Sequence, residues 1–172
     1  MASLMEDLIS ILEQEDSLYE DLLKLSMSKT PVLISGDLEA LSRITEDEQE
    51  IVNKVNALDK KREEGMKDIA NVLGKDVKTL KLTDLIEILR SRPAEQNRLA
   101  AIYDKLSDTI GQMKRTNEQN RELIESSLEM VQFDMNVLQA YKAAPETANY
   151  SKNALNSGAY MGNTKGGFDA KQ

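Results

Sequence analysis

Residues 94–142 read AEQNRLAAIYDKLSDTIGQMKRTNEQNRELIESSLEMVQFDMNVLQAYK, the longest uninterrupted helical pattern in the chain. Apolar residues recur there at three- and four-residue steps, which is the spacing of one face of an α-helix. At 1.5 Å per residue, a helix of this length extends roughly 70 Å, far beyond the diameter of a small globule. Helices this long, with heptad-like apolar stripes, fold back on one another as antiparallel bundles.

Three further helical segments precede this one. The first contains Pro31, so it either stops before that residue or kinks there and continues to Gly36. We favour the kink, because Gly is the better helix terminator and is followed by Asp, a good cap for the next helix. The second segment covers residues 37–73, and a short third segment covers residues 83–91.

The sequence therefore predicts an all-α fold, an elongated antiparallel helical bundle or coiled coil of three long helices and one short helix. From Ala143 onward the chain is rich in Gly, Asn, Ser and Lys and poor in aliphatic residues. Such a segment cannot bury enough apolar surface to fold alone. We expect a helical bundle domain over residues 1–142 and a flexible C-terminal tail over residues 143–172.

The composition argues against catalysis. The chain has no His and no Cys, so the commonest general base, the thiolate nucleophile and the usual zinc ligands are all missing. We expect no enzymatic activity, no metal site and no cofactor. The formal net charge of −8 disfavours nucleic acid and anionic membranes as partners, since both attract basic surfaces.

The same sequence gives an expectation about location. The N-terminal residues lack the basic and apolar regions of a signal peptide, and no apolar run approaches the length of a membrane span. We expect a cytoplasmic protein without membrane insertion.

The two halves of the long fourth segment differ. In the first half, apolar residues fall within about 100° of arc, the width of one buried face. In the second half a second row joins the main stripe, and together they cover roughly half the circumference. Either two neighbouring helices bury this half, or one row packs inward and the other receives an amphipathic segment of a partner. The main stripe contains Ile124, Leu128, Val131, Met135 and Leu138, and the second row contains Leu123, Met130 and Val137, with Tyr141 close by.

Polar residues interrupt the apolar stripes. Asn117 and Asn120 lie where aliphatic residues would be expected, as do Glu15 and Glu48 in the first and second helices. A buried Asn at such a position usually fixes helix register at some cost in stability. Alternatively, the asparagines form a polar break between a bundle-forming half and a partner-binding half.

Four segments in this order resemble FlgN-type flagellar export chaperones. They are E-x-x-x-Y-x-x-L-L-x-L at residues 15–25, G-D-L-x-x-L at 36–41, an acidic turn at 46–50, and N-x-x-N-x-x-L-I-x-x-S-L at 117–128. The resemblance extends from about residue 5 to residue 141. Pro31, inside the first family helix, departs from the pattern.

The resemblance implies a cytoplasmic chaperone that binds the C-terminal segments of hook-associated proteins, which form the hook–filament junction. It also implies delivery of this cargo to the flagellar type III export gate, to which the tail contributes contacts. The alternative is a structural coiled-coil adaptor or a module that forms homo-oligomers. Carried onto this sequence, the partner-binding candidates are Leu123, Ile124, Leu128, Val131, Met135, Leu138, Tyr141 and, in the tail, Tyr150, to which the second row adds Met130 and Val137.

Overall fold

The computed structural model describes residues 2–143, and most of these residues lie in four α-helices. The helices are α1 (Ala2–Ser35), α2 (Leu38–Leu73), α3 (Leu82–Ile88), continued by a 3-10 turn at Leu89–Ser91, and α4 (Pro93–Ala143). No strand occurs within these described residues, and the prediction of an all-α fold is confirmed. The predicted tail lies outside the described residues except for Ala143, so its flexibility stays a prediction.

Local chemistry explains where the first two helices end. Pro31 lies inside α1, and the helix continues past it to the glycine, as favoured from the sequence. Gly36 has a φ of +70°, which a residue without a Cβ adopts at little cost. The side chain of Asp37 then caps α2, because its Oδ1 accepts a hydrogen bond from the amide of Ala40 at 3.0 Å. Gly74 closes α2 with a φ of +63°.

The short helix α3 begins one residue earlier than predicted. The backbone amide of Lys81 donates to Asp84 Oδ2 at 2.9 Å, so the acidic side chain in the first turn reaches back over the helix start. The side chain of Gln96 in α4 donates to the carbonyl oxygen of Ile86 at 2.8 Å. This bond ties the start of α4 to α3.

The chain divides into two compact units, the first ending at Leu123 and the second beginning at Ile124. The first unit has one apolar core, to which all four helices contribute near the N-terminus of α1. Burying these aliphatic side chains is the main source of its stability. The core consists of Met5, Leu8, Ile9, Leu12, Ile69, Ala70, Leu80, Leu85, Leu89, Leu99 and Ile102.

Ion pairs show that α1 and α2 run antiparallel. Lys29 pairs with Glu48 near the turn between the helices. Further from the turn, Glu15 pairs with Arg62, whose Nε lies 3.1 Å from Glu15 Oε1. Earlier positions in α1 therefore pair with later positions in α2, which is the antiparallel arrangement.

The contacts between α1 and α4 show the opposite relation. Asp16 pairs with Lys105 at 2.9 Å, and further along both helices Thr30 donates to Asn120 at 2.7 Å. The positions advance together, so α1 and α4 run parallel and α2 runs antiparallel to both.

Within residues 2–143, no helix combines the length and the apolar content that crossing a bilayer requires.

Candidate functional site

The candidate site is the part of α4 that belongs to the second compact unit. Every residue from Ile124 to Gln139 is exposed. The exposed fraction of the large apolar side chains reaches 69% at Met130 and is still 39% at Ile124. We call these residues the distal surface; they are Ile124, Leu128, Met130, Val131, Phe133, Met135, Val137, Leu138 and Tyr141.

The distal surface forms two rows along the helix. At about 100° per residue, each row lies within an arc of about 80°, and the centres of the two rows are about 135° apart. Polar residues such as Glu125 and Gln132 occupy the side of the helix that neither row covers. Row one consists of Ile124, Leu128, Val131, Met135 and Leu138, and row two consists of Met130, Phe133, Val137 and Tyr141.

Exposure of both rows bears on the two interpretations left open by the sequence. Burial of this half of the helix by two neighbouring helices of the chain does not describe residues 124–141, because the large apolar side chains there are exposed. A contiguous exposed apolar surface usually marks a site of interaction with another molecule. The expectation that one row packs inward is wrong, because the large apolar residues of both rows are exposed. Binding of a partner at this surface stays a prediction.

The candidate residues predicted from the sequence fall into three groups. Leu123 is half-buried and belongs to the first unit, and Tyr150 lies outside the described residues. All the others lie together on the distal surface, namely Ile124, Leu128, Met130, Val131, Met135, Val137, Leu138 and Tyr141.

Phe133 was missed by the sequence analysis. Its side chain is 51% exposed and lies in row two, three residues after Met130 and four before Val137. The seven-residue repeat that defines the second row in the sequence passes over this intervening position. Its spacing of three residues from Met130 and four from Val137 is the sequence signal that places it in the same row.

A polar layer joins α1 to α4 just before the distal surface in sequence. Ser26 Oγ donates to Asn117 Oδ1 at 2.8 Å, and Thr30 Oγ1 donates to Asn120 Oδ1 at 2.7 Å. The amide nitrogen of Asn120 in turn donates to the backbone oxygen of Ser26 at 2.8 Å. Because Asn120 is buried and bonded through both its oxygen and its nitrogen, a shift of α4 along α1 would break these bonds, which favours the interpretation that the asparagines fix register.

The two glutamates on the apolar stripes face basic partners on neighbouring helices. Glu48 pairs with Lys29, and the almost fully buried Glu15 pairs with Arg62. Burial raises the pKa of the Glu15 carboxyl, and the neighbouring Arg62 only partly offsets this rise. The polar partners of the two glutamates are thus Lys29 and Arg62, whereas the polar partners of Asn117 and Asn120 are Ser26 and Thr30.

The charges near the distal surface are mainly acidic. Within residues 124–143, Glu125, Glu129 and Asp134 are acidic and Lys142 is the one basic residue. Such a helix suits amphipathic segments with apolar stripes and neutral or basic flanks. No group of three or more potential metal ligands occurs among residues 2–143.

Comparison with known proteins identifies the family. The chain is 29% identical over 121 residues to a protein of Bacillus subtilis (strain 168) described as uncharacterized protein YvyG, covering 70% of this chain and 72% of that protein. No solved structure matches the chain. Residues 1–158 match the family model described as FlgN protein. Because this match covers most of the chain, the protein belongs to the FlgN family.

Proposed function

We propose that this chain is a cytoplasmic flagellar type III export chaperone that binds the C-terminal segments of hook-associated proteins. Membership of the FlgN family supports a role in flagellar export. The observation that carries the proposal is the distal surface, where nine large apolar residues are exposed within one helical segment. The proposed partner-binding residues are those of the distal surface together with Leu123 and Tyr150.

Binding alone is sufficient for such a role. A chaperone that covers the apolar assembly segment of its cargo lowers the concentration of free segment and so prevents premature polymerisation by mass action. Release then requires a competing partner, for which we propose the export gate. In this scheme residues 1–142 form the bundle domain and bind cargo, whereas residues 143–172 form a flexible tail that contributes a second contact at the gate.

Paired glutamate substitutions in row two test the proposal. We expect Met130→Glu combined with Val137→Glu to weaken binding of hook-associated C-terminal segments by about 100-fold or more, because each charge must be buried in an apolar interface. Both positions are exposed in the free chain, so helicity and melting temperature should stay near wild type. Calorimetric titration with the segments encoded in the same genome measures the affinity.

A matched control uses the polar side of the same helix. Gln132→Glu combined with Gln139→Glu introduces the same two charges at the same seven-residue spacing, on exposed positions outside both rows. This control should bind cargo within about twofold of wild type, since exposed charges contribute little. Unchanged binding by the Met130/Val137 variant would refute the assignment of row two. A chain truncated after residue 142 would report the contribution of the tail.

The same exposure supports a second candidate, a structural coiled-coil module that pairs with its own copies. A mass that rises with concentration in sedimentation, and that is reduced by changes at Leu123 and Val137, would favour this candidate. Saturable binding of a hook-associated segment to a monomer would favour the chaperone.

A further inference from the structure

We propose that the distal surface binds two amphipathic helical segments of one cargo chain at the same time, one along each row. This inference rests on the proposed function, because it describes how the cargo occupies the proposed binding site. It concerns only residues 124–141 of α4.

Each row on its own has the spacing of a coiled-coil seam. Along row one, successive residues from Ile124 to Leu138 are separated by four, three, four and three positions. Along row two, from Met130 to Tyr141, the separations are three, four and four. Steps of three and four residues form the seam into which side chains of a facing helix insert, and row two departs from strict alternation only at its last step, which is four instead of three. Both rows are therefore suited to pack against a helix.

One helix cannot cover both rows. A helix packs through a stripe about 100° wide, whereas the two rows together cover about 220° of α4. The first unit provides an internal reference, because the apolar residues of α4 between Leu99 and Met113 occupy only about 100°. In that part of α4 one stripe of about 100° is sufficient for packing against the rest of the unit. The distal surface covers about twice that arc, so a second helical segment is needed to cover it.

The geometry limits how the two cargo segments are connected. Helices pack about 8–10 Å apart, and rows about 135° apart place the two segments on opposite flanks of α4. Their axes would then be separated by roughly 15–18 Å, which requires a connection of at least about five extended residues. A tight hairpin does not fit, whereas one chain that passes across α4 does.

A single cargo chain is favoured over two independent partners. Once the first segment binds, a second segment on the same chain binds as an intramolecular step at high effective concentration.

Acidic residues flank the rows, with Asp134 between them and Glu129 on the outer side of row two. The cargo segments should therefore carry neutral or basic residues beside their apolar stripes.

Three paired variants at consecutive positions separate the rows. Met130→Glu/Val137→Glu changes row two, Val131→Glu/Leu138→Glu changes row one, and Gln132→Glu/Gln139→Glu is the control. With full-length hook-associated protein as titrant, each row variant should bind at least about 30-fold more weakly than wild type, and the control within about twofold. The complex should contain one copy of each chain by light scattering.

Site-directed cross-linking then locates the cargo segments. The chain has no cysteine, so Val137→Cys, Leu138→Cys and Gln139→Cys each create a unique attachment point for a benzophenone maleimide. We expect the probes at 137 and 138 to label two different segments of the same cargo chain, and the probe at 139 to label far less. Mass spectrometry of the photoproducts identifies the segments.

The outcomes distinguish this inference from the proposed function. Labelling of one common segment by both probes, an unaffected affinity in either row variant, or labelling of a second copy of this chain would overturn the two-segment inference while cargo binding stands. Failure of the wild-type chain to bind any hook-associated protein of the same genome would overturn the proposed function itself.

Discussion

Asn117 and Asn120 lie one helical turn apart in α4 and contact the same stretch of α1, and both accept a hydrogen bond through Oδ1, but only Asn120 also donates one through Nδ2. Asn120 is almost fully buried, accepts a hydrogen bond from Thr30 and donates one to the backbone oxygen of Ser26. Asn117 is exposed and accepts a bond from the Ser26 hydroxyl through its carbonyl oxygen. A carboxylate can replace an acceptor but not a donor, so the two positions respond differently to the same change.

We expect Asn120→Asp to lower the free energy of unfolding by about 2–3 kcal/mol at pH 7. The change removes the donor that faces the Ser26 oxygen and buries a charge beside a carbonyl dipole. Asn117→Asp, which keeps the acceptor and is exposed, should cost less than about 0.5 kcal/mol. Urea denaturation of both variants provides the comparison. Equal losses at the two positions would contradict the hydrogen-bond directions in the polar layer.

Burial of Glu15 predicts a specific pH dependence. Because its pKa is raised in the folded chain, the native state holds this proton at pH values where the unfolded state has released it. The contribution of Glu15 to stability is therefore fully present below its ordinary pKa and is lost as the pH rises through the folded pKa. Replacement by Gln keeps an oxygen for Arg62 and removes the titration.

Denaturation of wild type and Glu15→Gln between pH 4 and pH 7 tests this expectation. The free energy of unfolding of wild type should fall relative to that of the variant as the pH rises over this interval. A difference that stays constant with pH would mean that the environment of Glu15 does not raise its pKa.

Residues of this kind mark the limit of what the sequence could predict. Periodicity identified Glu15, Asn117 and Asn120 as polar positions on apolar stripes. Their partners lie on other helices, and their identity depends on helix rotation and register, which spacing within one helix does not determine. Phe133 is different, because its spacing of three residues from Met130 and four from Val137 is enough to place it in row two.

At the scale of the helix, boundaries were predictable because local chemistry determines them. Glycines with positive φ close α1 and α2, and Asp37 caps α2, as the sequence indicated. Pro31 lies in the last two turns of α1, where loss of one hydrogen bond does not end the helix. The existence of two apolar rows in α4 was also predictable, whereas their exposure was not, since periodicity does not reveal whether a neighbour is present.

The exposure of α4 beyond Leu123 predicts uneven hydrogen exchange along this helix. An isolated helix of about 20 residues is only marginally stable in water, whereas packed helices open only with the whole unit. We expect amides in residues 124–143 to exchange at least about 100-fold faster than those around Leu99 and Ile102. Exchange monitored by mass spectrometry or NMR measures the difference.

Cargo should slow exchange in the same segment. Binding along both rows would protect residues 124–141 and leave the core amides unchanged. Uniform protection along α4 in the free chain, at every protein concentration, would mean that the distal surface is already packed without a partner. Protection that increases with protein concentration would point to self-association.

At the scale of the whole molecule, family and fold class could be inferred from the order and spacing of degenerate helical patterns. The absence of His and Cys removes the commonest catalytic and metal-binding side chains, so the composition favoured a binding function. The relative direction of α1 and α4 emerged only from contacts such as Asp16 with Lys105 and Thr30 with Asn120. These contacts join positions about 90 residues apart, a separation that local pattern does not predict.

That parallel pairing has a consequence for how the protein is made. Helical proteins usually fold quickly because most of their contacts are local. Here, however, the buried face of α1 around Leu8 packs in one core with Leu99 and Ile102, which are synthesised only after more than half of the chain. At about 5–20 residues per second, translation delays this encounter by on the order of 10 s. During that interval the nascent α1–α2 hairpin carries an uncovered apolar face. A protein proposed to shield the segments of others therefore emerges from the ribosome with a segment of its own in need of shielding.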